Sequence, residues 1–201
     1  MSYFTVEDTF QFLDKIPQGY LLEFGVFSGN TMNRLIKGAE AANNPFDEVW
    51  GFDSFTGIPK ETEGVKHNPE WPEHAFSLCH DFNLQTVGEA IDFVHSRVER
   101  KDVRLIPGYF EWSLPPYANK LVDKANYIHI DVDIYRSTIE VLNFVLDNRI
   151  AKVGSLWRYD DTLWCNWGEA GNTLAHVEMT KKYKIGWNQL SDNVFQLISY
   201  A

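Results

Sequence analysis

The sequence predicts an α/β fold: a mostly parallel sheet with helices on both faces and an antiparallel hairpin at its C-terminal end. Two observations predict it. Short apolar runs of strand length alternate with segments whose apolar residues recur at helical spacing, the pattern of a parallel sheet built through crossovers. The last two runs, 184–190 and 194–199, are separated only by Ser191-Asp192-Asn193 and read as a hairpin. A chain of 201 residues suits one domain, because domains commonly span about 100–200 residues.

In order, Thr5-x-x-Asp8 opens a helix through Val6, Phe10 and Leu13, which Pro17 closes. The apolar run 20–24 is the first strand. Gly25-Val-Phe-Ser-Gly29 follows, then a helix with Met32, Leu35, Ile36 and Ala39 on one face. Residues 48–52 form a second strand ending at Asp53. The stretch 60–83 is polar, rich in Pro and His, and aperiodic; a loop of this length in a compact domain is functional or disordered. A helix over 86–99, a third strand over 103–106 and a short helix over 116–124 come next. The fourth strand, 127–133, reads YIHIDVD and leads into a helix through Val141, Phe144 and Val145. The fifth, 153–159, ends in Asp160-Asp161, and 173–183 is helical.

Acid exceeds base, 28 Asp+Glu against 18 Lys+Arg, for a net charge of −10. Nucleic acids and anionic membranes require a basic face, so neither is expected as a partner. The N-terminus lacks the regions of a signal peptide, and no apolar run approaches the roughly 18 residues of a membrane span. A cytoplasmic protein is expected. Cys79 and Cys165 leave room for at most one bridge, and neither has zinc-site spacing. Seven Trp and a 15% aromatic share fit a rich core or a wide aromatic pocket.

Candidate chemistry gathers at strand ends. After the first strand, Glu23-x-Gly25-x-x-x-Gly29 lets backbone approach a ligand, and the following helix offers free N–H groups. Asp53, ending the second strand, can accept both hydroxyls of a ribose. Alternatively, the glycines serve only a tight turn and Asp53 a cap. The spacing is neither G-x-G-x-x-G nor a P-loop. An acid at Glu23 disfavours a pyrophosphate and suits a cationic ligand such as S-adenosylmethionine.

In the fourth strand, a period of two puts Tyr127, His129, Asp131 and Asp133 on one face. Parallel pairing brings their carboxyl end beside Asp160-Asp161. Like charges so close need a cation or protonation, and oxygen ligands favour Mg²⁺, Mn²⁺ or Ca²⁺. Each Asp could instead cap the helix that follows. His129 reads as a core histidine or a base. His67, Trp71 and His74 form a lid or stand exposed. No Gly-x-Ser-x-Gly nucleophile occurs.

The blocks LLEFGVFSGNTMNRLI, VWGFDSFTGIPK, LIPGYFEWSLP, YIHIDVDIYRST and YDD, in this order, resemble the macrocin O-methyltransferase family. That resemblance implies a single-domain Rossmann-like methyltransferase fold over residues 1–201, with seven strands and the last antiparallel. It implies S-adenosylmethionine and Mg²⁺ as cofactors and a small-molecule hydroxylated acceptor, often a sugar of a natural product. By motif position Glu23, Gly25 and Gly29 line the methionine end, and Asp53 and Ser54 hold the ribose. Gly108, Tyr109 and Phe110 lie on the adenine side. Phe27, Thr31, Phe55 and Asp131 belong to the same cofactor-binding set. Asp131 or Asp133, together with Asp160 and Asp161, forms the implied metal set, with similarity to catechol-type methyltransferases favouring Asp131. Asp131, Asp133 and His129 are the implied catalytic residues, Asp133 or His129 taking the proton. The fifth strand departs from the family's aliphatic run: Ser155-Leu-Trp-Arg-Tyr precedes the aspartates. The short N-terminal extension leaves a homodimer open. Rival readings are a metal-independent methyltransferase acting on another group, and a non-catalytic S-adenosylmethionine-binding or interaction module.

Overall fold

A computed structural model describes residues 5–162 and 166–200. Cys165 lies outside them; Cys79 is a free thiol. Seven strands form one sheet: β1 (Tyr20–Phe24), β2 (Val49–Asp53), β3 (Arg104–Pro107), β4 (Ala125–Ile130), β5 (Ala151–Tyr159), β6 (Gly186–Gln189) and β7 (Val194–Ser199). Their order is β3-β2-β1-β4-β5-β7-β6. β1 to β5 run parallel, and β7 is antiparallel to both β5 and β6. The expected architecture is the observed one.

Helices α1 (Asn30–Ala41) and α3 (Val87–Arg97) cover one face of the sheet. Met32, Leu35, Ile36, Ala90 and Val94 are buried there against Leu21, Tyr127 and Leu156. On the other face lie α4 (Phe110–Ser113), α5 (Ala118–Leu121), α6 (Tyr135–Asp147) and α7 (Gly171–Lys182). There Val141, Leu142, Val145 and Ala175 pack on Leu22, Phe24, Ile128 and Trp157. At about 25 cal/mol per Å² of apolar surface, these two layers supply the main drive for folding. Among the described residues, no helix is long and apolar enough to cross a membrane.

Three elements differ from expectation. The N-terminal helix, Val6–Lys15, is 3₁₀ rather than α. Thr9 is buried together with Val6 and Leu13, while Phe10 stays half-buried. Thr9 receives the Tyr127 hydroxyl at 2.9 Å. The stretch 60–83 contains a short helix, α2 (Leu78–Asp81), whose Ser77 hydroxyl accepts from the His80 N–H. Finally, β4 stops at Ile130 instead of reaching Asp133. Asp131 N–H still bonds to Phe24 C=O at 2.9 Å, but Asp133 has φ +62° and turns the chain.

The end of β1 is held as tightly. Gly25 has φ +82°, and a Cβ on it would fall 1.7 Å from the Asp131 carbonyl oxygen. Gly25→Ala must therefore strain its own backbone and separate β1 from β4. We expect a loss of more than about 3 kcal/mol, roughly 6–12 °C in Tm for a chain of this size. Gly51→Ala, which meets only side-chain methyls of Met32, Val26 and Leu105, should cost clearly less. Equal losses in thermal unfolding would overturn this account of Gly25.

Candidate active site

In open α/β sheets, ligands settle beyond the carboxyl ends of strands where the strand order reverses. That point here lies between β1 and β4. A cleft of about 300 Å³ opens there. Of the residues expected to bind or react, Gly25, Phe27, Asp53, Ser54, Gly108, Tyr109 and Phe110 line it, as do Asp131, Asp133, Asp160 and Asp161. Glu23, Gly29, Thr31, Phe55 and His129 do not.

Physical reasons separate the two groups. Asp53 ends β2 with both oxygens engaged: one accepts from Val26 and Phe27 N–H at 2.7 and 2.8 Å, the other from Phe55 N–H at 2.6 Å. Its carboxylate braces the β1–α1 loop as well as facing the cleft. Burial raises its pKa, and these three N–H groups pull it back. Gly29 caps α1 with φ +77° and gives room to Val94 of α3 and Val98 just after it, so its need is packing. Phe55 is wholly buried. Phe27, Phe55, Phe76 and Asp133 all hold positive φ around the cleft, a concentration of backbone strain typical of functional sites.

Glu23 and His129 sit beneath the cleft, on the α1/α3 face of the sheet. Parallel register places Glu23, His129 and Arg158 side by side on β1, β4 and β5. All three are at most 2% exposed. Arg158 approaches His129 Nε2 at 2.7 Å and also bonds Asp160 Oδ1. A guanidinium only donates, so Nε2 accepts and Nδ1 carries the hydrogen. Nδ1 then donates to Glu23 Oε1, 3.1 Å away. Burial and the Arg158 charge hold the His129 pKa well below its usual value. With both ring nitrogens engaged, His129 is a core histidine and does not reach the cleft as a base.

The acids at the rim form two overlapping groups. Oxygens of Asp131, Asp133 and Asp161 lie within 4.8 Å of one another; Asp131 and Asp160 make a second group with His129. The trio Asp131, Asp160 and Asp161 is thus not the tightest one, and Asp131 is common to both. Burial, then the charges of Asp161 and Asp160, drives the Asp131 pKa well up, while Arg158 draws it down. Asp133 and Asp161 are raised for the same reasons, burial first. Asp161 Oδ2 is buried without a hydrogen-bond partner. An oxygen-only donor set with an orphaned carboxylate oxygen fits a hard divalent cation.

Sequence reasoning missed Ile58, Phe76, Ser137 and Glu140, which also line the cleft. Ser137 and Glu140, three apart on α6, were discoverable as polar positions on a buried helix. Trp71 lines the cleft and also a second hollow of about 310 Å³, which His67 borders; His74 borders neither. The loop is tied down by Glu61, whose carboxylate accepts from the Tyr135 and Arg136 N–H groups at 2.8 and 2.9 Å and caps α6.

Sheet order and cleft together define a Rossmann-like α/β protein with its ligand site at the reversal of strand order. The family model for macrocin-O-methyltransferase (TylF) matches residues 7–170. The chain belongs to this family and is an S-adenosylmethionine-dependent O-methyltransferase. Among solved structures, the O-methyltransferase NovP is 23% identical, with TM-score 0.66, over 96% of this chain and 79% of its own. CalS11, a calicheamicin methyltransferase, is 17% identical with TM-score 0.66, over 96% and 76%. A cmcI structure described as Mg-SAM is 12% identical with TM-score 0.52, over 99% and 74%. At these identities the likeness is one of fold. No curated protein sequence matches the chain.

The raised carboxylates give a pH signature. The folded pKa of Asp161 stands above its unfolded value near 3.9. Its contribution is therefore favourable below that value and lost as pH rises through the folded pKa. With chelator present, Asp161→Asn should raise Tm at pH 8 by about 2–4 °C, the effect of ~1 kcal/mol in a chain of this size. The gain should vanish near pH 4. Thermal melts showing a pH-independent effect would contradict the crowding of charge at this position.

Proposed function

We propose that the chain methylates a hydroxyl of a small molecule, a sugar or sugar-bearing natural product, with a divalent cation at the acceptor side. The convergence of Asp131, Asp133, Asp160 and Asp161 on one cleft wall carries this reading. Gly25, Asp53 and Ser54 would bind the methionine and ribose parts of S-adenosylmethionine, and Gly108 to Phe110 its adenine side. Asp131, Asp161 and Asp160 would hold Mg²⁺. Bound there, Mg²⁺ would lower the pKa of the acceptor hydroxyl and fix its oxygen.

The chain's own work is then positioning and proton transfer. When bound, S-adenosylmethionine would supply the methyl group, its methyl–sulfur bond giving way to the acceptor oxygen with S-adenosylhomocysteine as the other product. Holding the two reactants in line is worth about 7–11 kcal/mol in favourable cases. Asp133, carried into the cleft by its left-handed backbone, takes the hydroxyl proton; its raised pKa suits that task.

The walls also speak to the acceptor. One CalS11 structure is described as a TDP-rhamnose 3'-O-methyltransferase, whose acceptor carries a diphosphate. No Lys or Arg is among the described residues lining the present cleft, and its charged residues are all acids. A diphosphate would find no cationic side chain there. A neutral or amine-bearing acceptor fits this chain better than a nucleotide sugar.

Calorimetric titration of S-adenosylmethionine, with Mg²⁺ and again with chelator, tests the cofactor site. We expect micromolar affinity in both conditions, and absence of binding in both would sink the reading. With an acceptor found by screening hydroxylated compounds, Asp133→Asn should lower turnover by about 10²–10⁴-fold with unchanged S-adenosylmethionine affinity. A variant that keeps wild-type turnover would remove Asp133 from the chemistry. Turnover unaffected by chelator would favour metal-independent transfer.

A further inference from the structure

Arg158 is the residue of the site that neither the cofactor nor the acceptor accounts for. It lies on β5 at 2% exposure, under the carboxylate wall and outside the cleft lining. Its guanidinium bridges two groups, His129 Nε2 below and Asp160 Oδ1 above. Through His129 the bridge continues to Glu23, so one buried row runs from β1 to the rim. Among the described residues, Arg158 is the cation that acts on Glu23, Asp131 and Asp161 alike. Asp160 itself stays open to the cleft, its side chain 42% exposed while one oxygen is held from beneath.

We propose that Arg158 is a resident counter-cation: a positioning residue that fixes Asp160 at the cleft wall and neutralises part of the acidic cluster from inside the sheet. Several carboxylates forced together need positive charge to stay ionised and assembled. A side chain built into β5 supplies one such charge permanently. The site can then fold before any divalent cation arrives. The same charge weakens cation binding, because Arg158 already occupies one oxygen of Asp160 and repels a second positive centre. The proposal draws on the preceding reading only in giving the carboxylates a cation to bind.

The test compares R158Q and R158K with wild type, in chelator and in Mg²⁺. Glutamine keeps N–H donors and loses the charge; lysine keeps the charge. Thermal melts are read first, since they need no acceptor and no activity. For R158Q, Tm should fall in chelator and recover on adding Mg²⁺, by at least about 5 °C more than the Mg²⁺ effect on wild type. Its affinity for Mg²⁺, measured by calorimetric titration of the ion alone, should rise several-fold. R158K should stay close to wild type in both measurements. An R158Q protein that remains unfolded in Mg²⁺, or whose Tm responds to Mg²⁺ no more than wild type does, overturns the proposal. So does an R158K protein that behaves like R158Q. Binding of S-adenosylmethionine separates the two readings: wild type that fails to bind it discredits the cofactor site, while the Mg²⁺ responses of the variants still decide the role of Arg158.

Discussion

Electrostatic crowding at the carboxyl ends of β1, β2, β4 and β5 governs how the rest of this molecule is arranged. Glu23, Asp53, Asp131, Asp133, Asp160 and Asp161 meet around the point where the strand order reverses. Burial makes Glu23, Asp53, Asp131, Asp133 and Asp161 harder to ionise, and for all of these but Asp53 the neighbouring acids add to the cost. The structure answers with different devices at different positions. Asp53 is given three backbone N–H donors. Asp160 is given an arginine. Asp131, Asp133 and Asp161 are left facing one another, with the charges of Asp131 and Asp161 offset in part by Arg158.

The same constraint accounts for the buried polar row inside an otherwise apolar sheet. A lone charge between two hydrophobic layers would be costly, and a hydrogen-bonded chain is less so, although Glu23 Oε2 stays buried without a hydrogen-bond partner. His129 serves as the neutral link, donating to Glu23 and accepting from Arg158. Layer packing and site chemistry are thus joined across three adjacent strands.

Much of the fold was legible because its signals are local. β1 was read to the residue as an apolar run closed by glycine, and the hairpin of β6 and β7 by its short polar turn. The end of β4 was not, since a period of two continues on paper through Asp133 while the backbone turns at φ +62°. The row of Glu23, His129 and Arg158 escaped for another reason: each strand shows the parity of its own side chains, but inter-strand register is set by tertiary pairing. The cleft-lining residues Ile58 and Phe76 carry no periodic signal at all. Their loop is shaped by long-range backbone bonds, such as those joining Ile58 to His74 and Ala75. At the site, parity correctly placed Asp131 near Asp160-Asp161, while Glu23, predicted at the ligand, was turned beneath it.

The cap that Glu61 provides has a mechanical meaning. It joins the long loop to the first turn of α6, 74 residues away in sequence, and α6 begins two residues after Asp133. Detaching Glu61 uncaps the helix, at about 0.5–2 kcal/mol by the usual value of such caps. Fraying would then start at the turn that carries the site. Loop and carboxylate are therefore mechanically joined at residue 61, and release there loosens both together.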